Sequence, residues 1–167
     1  MKPVIKFTPA LTCKNNKDKL GNIGEQIVAY YLGGTLSENK YDDKKDLVLD
    51  TLENCEVKTQ SRHVTKNLFS IRAPTASKNK NQIFKCQTVE KLYFVEYNFS
   101  DRFRIYECHD RDNIIKYTAY MGPSIGNVNM LGWPISEMTV LLEVEDAYTC
   151  GQMRAYSQSN TLMKDFP

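Results

Sequence analysis

Between residues 18 and 34 the chain reads DKLGNIGEQIVAYYLGG. Leu20, Ile23, Ile27 and Tyr31 recur at the spacing that lines one face of an α-helix, and Val28 and Leu32 widen that face. Asp18 is the expected N-cap and Gly33-Gly34 the expected stop. Glu25 falls at the margin of the apolar stripe, next to Val28 and Leu32. A carboxylate there is partly buried and needs a partner.

After the polar stretch TLSENKYDDKK the period changes to that of strands. DLVLDT (46–51) and NCEVKTQ (54–60) meet through Leu52, Glu53 and Asn54, which predicts a tight antiparallel hairpin. LFSIRA (68–73) reads as a third strand and KLYFVEYN (91–98), strongly apolar, as a central one. RFRIYECH (102–109) alternates and follows the link NFSD, which predicts another hairpin. RDNIIKYTAY (111–120) reads as a short helix, and MGPSIGNVNMLGWPIS (121–136), rich in Gly, Pro and Asn, as an extended loop. TVLLEVED (139–146) suits a strand or a helix start, and DAYTCGQMRAYSQSN (146–160) a helix capped by Asp146. A helix, several strands and then mixed elements predict a single α/β or mixed α+β domain over 1–167. Its core lies at about 18–110, with a C-terminal elaboration at about 111–167.

Composition narrows the class without naming a partner. The 167 residues are 41% hydrophobic and 25% charged, enough for an ordinary core. The formal net charge of +2 neither demands nor excludes nucleic acid, because a local basic surface matters more than the total. No apolar run has membrane-spanning length, and the first residues lack the apolar core of a signal peptide. The five cysteines are scattered, odd in number and without a CxxC pair, so neither a disulfide framework nor a zinc site is expected. A reducing, cytoplasmic setting fits this usage.

The unusual feature is the polarity of the 46–60 hairpin. Residues two apart on a strand share a face. Glu56, Lys58 and Gln60 therefore point one way, and Cys55, Val57 and Thr59 the other. Antiparallel pairing brings Asp46, at the start of the first strand, toward the far end of the second, where Lys58 and Gln60 lie with Glu56 one pleat further in. Spacing alone also permits a plain solvent face with a Glu-x-Lys salt pair, which is worth little. Converging carboxylates are costly unless a cation or proton intervenes. Mg²⁺ (or Mn²⁺) suits one or two carboxylates with retained waters or phosphate oxygens, and the Val57 main-chain carbonyl offers a further oxygen. Lys58 beside such an ion can orient a water or stabilise a phosphoryl transition state.

Taken together, GEQIVAYYL, KKDLVLD and CEVKTQ resemble the PD-(D/E)XK nuclease superfamily over residues 20–60, about a quarter of the chain. The resemblance implies a restriction-endonuclease-like fold, a central mixed β-sheet flanked by helices, and a metal-dependent DNA endonuclease of restriction type or specific for branched structure. It implies Asp46 and Glu56 as metal-binding carboxylates and Lys58 as the catalytic lysine. Glu25 corresponds to the helix glutamate of Holliday-junction-resolvase-like members, which supports the metal, and Gln60 to a polar residue that often follows the lysine. The sequence departs from the pattern in having Lys45 rather than proline before Asp46, and Asp43 and Asp50 compete with Asp46 for its role. Asp46 is preferred because Leu47, Val48 and Leu49 follow it directly. A non-catalytic nucleic-acid-binding protein of the same fold is the alternative.

Contacts to duplex or branched DNA are expected from the polar segments after the second strand. These are Arg62, His63 and Lys66 in TQSRHVTKN, and Lys78 and Lys80 in TASKNKNQ. Cutting both strands with one site per chain implies a homodimer. Trp133 reads as a core anchor, and His109 lacks the further ligands of a zinc site.

Overall fold

Asn15, rather than Asp18, opens the first helix. Its backbone is extended and its side chain accepts the Asp18 amide at 2.8 Å. Asp18 lies one turn in, where a carboxylate still favours the positive helix end. The computed structural model describes residues 5–38, 45–61, 67–73, 85–97 and 101–157. Helix α1 spans Asn16–Leu32 and stops where Gly33 takes φ 82° and returns its amide to the Ala29 carbonyl. Ile23, Ile27 and Val28 are buried, as the helical stripe requires.

The strands described are β1 (Gly34–Leu36), β2 (Leu47–Leu49), β3 (Asn54–Gln60), β4 (Leu68–Arg72), β5 (Lys91–Tyr97), β6 (Arg102–Cys108), β7 (Ile115–Tyr120), β8 (Asn127–Pro134) and β9 (Thr139–Glu145). Helix α2 (Ala147–Ser157) follows. Asp146 caps it as predicted, accepting the Thr149 amide at 2.9 Å and the Thr149 hydroxyl at 2.7 Å.

Six strands form a mixed sheet in the order β1-β2-β3-β5-β6-β9, with β3 and β5 parallel and the other neighbours antiparallel. The expected hairpins are present at β2–β3 and β5–β6. Alternation along β5 divides the core. Tyr93, Val95 and Tyr97 pack with Ile23 and Ile27 of α1 and Met153 of α2. Leu92 and Phe94 face the opposite layer with Phe69, Tyr106 and Trp133. Each such buried side chain contributes about 1.5–3 kcal/mol by leaving water. The molecule is therefore a mixed α/β structure, its main sheet carrying α1 and α2 on one face and a smaller sheet on the other.

That smaller sheet, in the order β4-β8-β7, corrects two expectations. Residues 115–120 form a strand rather than a helix, and 127–134 a strand within the stretch read as loop. The two pair antiparallel from Ile115↔Gly132 to Tyr120↔Asn127. Gly122 and Gly126, both at positive φ, turn the chain between them. Gly132 is in the strand because its missing side chain leaves room: a Cβ there would lie 2.8 Å from a Leu68 methyl. Trp133 is the anchor expected of it, fully buried, with Nε1 donating to the Arg111 carbonyl at 2.9 Å. All five cysteines are free and buried. Among the described residues no helix is long and apolar enough to cross a membrane.

Candidate active site

Strand β2 ends one residue short of its partner's polar face. Leu47 pairs with Cys55, and the Asp46 amide makes a last backbone bond to the Cys55 carbonyl at 2.7 Å. The Asp46 side chain then takes over the role of the missing strand, its Oδ2 accepting the Val57 amide at 2.9 Å. This fixes Asp46 beside Val57 and Glu56, further in than the hairpin geometry alone had suggested. A strand residue's N–H and C=O leave on the same side, so the Val57 carbonyl also faces this edge.

Alternation does the rest on β3. Cys55 and Val57 enter the core under α1, and Glu56 and Lys58 share the opposite face. Lys58 Nζ lies 3.1 Å from Glu56 Oε1. A second ammonium completes the group. Lys85 stands in the helical residues 85–88, just ahead of β5, with Nζ 2.6 Å from Asp46 Oδ1 and 3.1 Å from Glu56 Oε2. Glu56 Oε2 is a buried oxygen, and the Lys85 ammonium is its charged neighbour. Lys85 was not legible as a site residue.

Glu25 joins from above because α1 lies unusually close to β3. At Gly24 a Cβ would sit 1.6 Å from Thr59 Oγ1, so only glycine permits this approach. Burial, followed by the Asp46 and Glu56 charges, raises the Glu25 carboxyl to about 8, against the opposing pull of Lys85 and an Asn22 hydrogen bond. Burial likewise lifts Glu56 to about 7, with Lys58 opposing and Asp46 adding to the rise. For Lys58 and Lys85 burial acts to lower the pKa. The carboxylates outweigh it, chiefly Glu56 for Lys58 and Asp46 for Lys85, so both ammoniums are held charged. Three carboxylates face two ammoniums in a poorly solvated place. The surplus negative charge calls for a proton or a further cation.

The donor chemistry fits a hard divalent ion. Asp46 Oδ1 and Glu56 Oε2 already flank a single cationic centre, and Mg²⁺ is a cation that accepts one or two carboxylates and keeps waters of its own. Among the described residues, His, Cys, Asp and Glu form no closed group of three or more around one ion position.

Gln60 is committed elsewhere. Gln60 uses both ends of its amide on Ser70 of β4: Nε2 donates to the Ser70 carbonyl at 2.9 Å, and Oε1 accepts the Ser70 amide at 2.6 Å. It thereby pins the smaller sheet to the end of β3. Asp50 lies at the other end of β2, its amide bonded to the Gly33 carbonyl. Asp43, Arg62, His63, Lys66, Lys78 and Lys80 lie outside the described residues. His109 contacts Glu107 and Thr139.

No family model matches the chain, and no curated protein matches it.

Proposed function

We propose that the chain is a divalent-metal-dependent DNA endonuclease of the PD-(D/E)XK kind, with a restriction-endonuclease-like core formed by α1, β2, β3 and β5. The observation that carries this reading is the single cation span between Asp46 Oδ1 and Glu56 Oε2, with Lys58 on the other oxygen of Glu56. A bound Mg²⁺ or Mn²⁺ supplies a lowered pKa for water and neutralises charge on a phosphate. The chain's own residues do the rest. Asp46 and Glu56 hold the ion, and the Val57 carbonyl lies on the same edge. Lys58 steadies the attacking water and the charge developing on phosphate oxygens. Glu25 supports the carboxylates from α1, which favours the junction-resolving branch over a restriction type. Gln60 holds the sheets together beneath the site. Cleavage of both strands calls for a homodimer.

The test is incubation of plasmid, linear duplex and four-way-junction DNA with Mg²⁺, Mn²⁺ or chelator. Cleavage confined to the metal lanes is expected, with the junction cut preferentially. Metal-independent cleavage contradicts the assignment. Binding without cleavage of any substrate favours a non-catalytic DNA-binding protein, a reading to which the Lys85 bridge lends support because it makes the acidic pair tolerable without metal.

A further inference from the structure

Lys85 has no task in the chemistry proposed above, yet it sits at its centre. Each carboxylate of the pair has one oxygen already committed. Asp46 Oδ2 accepts the Val57 amide, and Glu56 Oε1 faces Lys58 at 3.1 Å. The oxygens left for an ion are Asp46 Oδ1 and Glu56 Oε2, and the Lys85 ammonium lies 2.6 and 3.1 Å from them. A divalent ion bridging those two oxygens at its ordinary distance of about 2.1 Å would take the place the ammonium holds between them. Overlap and like-charge repulsion both push the ammonium out of that place. The lysine is also anchored. Cys86, next to it, is fully buried in the apolar layer with Phe69 and Phe94, so the ammonium stays near the site when it leaves the carboxylates.

We infer that Lys85 is a tethered stand-in cation: it bridges the Asp46–Glu56 pair and withdraws from it when a divalent ion binds there. Its charge therefore sets how tightly the ion is held. This inference rests on the metal-dependent reading and adds a control on it. Lys85 is a positioning residue, acting through the two carboxylates.

Calorimetric titration of MnCl₂ into the metal-free chain tests it, comparing wild type, Lys85→Met and Lys85→Arg. Removing the competing charge tightens Mn²⁺ binding by at least about tenfold in Lys85→Met. Lys85→Arg, which keeps the charge, binds as weakly as wild type. Equal or weaker binding by Lys85→Met overturns the inference alone. Absence of binding in all three proteins overturns it together with the metal-dependent reading. Since Lys85→Met takes from Asp46 its ammonium partner and can fail to fold, a second measurement uses the wild type. The ¹⁵Nζ resonance of Lys85, assigned through Lys85→Arg, shifts on saturation with MgCl₂. A resonance that stays in place while Mg²⁺ binds overturns the inference.

Discussion

The Val57 amide donates to Asp46 Oδ2 at 2.9 Å, so an acidic side chain completes the strand edge where β2 has ended. One residue thus serves both the sheet and the site. Replacing it separates the two duties. Asp46→Ala strands the Val57 amide and takes a partner from Lys85, and a loss of about 2–4 kcal/mol is expected in urea unfolding with chelator present. Asp46→Asn keeps an acceptor for Val57 and should lose about 1 kcal/mol less, while still abolishing cleavage. Equal losses in the two variants would show that the amide bond is unimportant.

Glu25 gives the chain a pH signature. Its carboxyl is raised from 4.5 to about 8, chiefly by burial and then by Asp46 and Glu56. The folded state therefore holds this proton more tightly than the unfolded state. Its contribution to stability is full below pH 4.5 and is lost as pH rises toward 8. In chelator, Glu25→Gln should match wild type near pH 4 and exceed it near pH 9, by on the order of 2 kcal/mol after allowance for partial exposure. Melting curves across that range decide. A difference that does not change with pH contradicts the placement of Glu25 beside the acidic pair.

The contact between Gly24 and Thr59 sets how closely α1 lies on β3. Both Oγ1 and Cβ of Thr59 crowd the position a side chain would take, so rotation about χ1 gives no relief. Gly24→Ala is expected to cost ~1–3 kcal/mol. Combining it with Thr59→Ala, which removes Oγ1 and Cγ2 but keeps Cβ, should recover part of that loss, a coupling that a double-mutant cycle in denaturant measures. Additive effects would mean that the helix does not rest on Thr59.

The β2–β3 turn contains strain of a simpler kind. Leu52 adopts φ 75° and is exposed, a backbone conformation unfavourable for a residue with a Cβ. Leu52→Gly removes that strain at some cost in unfolded-chain entropy, and a net gain of about 0.5–1 kcal/mol is expected. A lower denaturation midpoint would place an unrecognised contact on this side chain.

Local patterns carried much of this structure and missed what depends on distant partners. The stripe of α1, the alternation of β3 and the capping of α2 by Asp146 are local, and each could be read from neighbouring residues. β8 was hidden because Gly132 and Pro134 look like loop residues. In fact the glycine makes space for Leu68, and Pro134 ends the strand. β7 was mistaken for a helix because IIKYTAY carries too short an alternation to separate the two periods. Asp18 passed for the cap because Asn15, three residues earlier, stands in a uniformly polar run. Asp46, Glu56 and Lys58 were legible as a group because a hairpin joins them. Lys85 was not, since it lies 39 residues from Asp46 and reaches it only through the crossover into β5.

The central claim is that Glu56 and Lys58 act with a divalent ion on DNA. Its most direct test is the Mg²⁺-dependent cleavage rate of wild type, Glu56→Gln and Lys58→Ala, with DNA affinity of each measured by anisotropy in chelator. A metal-dependent wild-type rate that falls at least ~100-fold in both variants is expected, while affinity changes by less than about threefold. Wild-type cleavage by Lys58→Ala or Glu56→Gln, or no cleavage by the wild type itself, would contradict it.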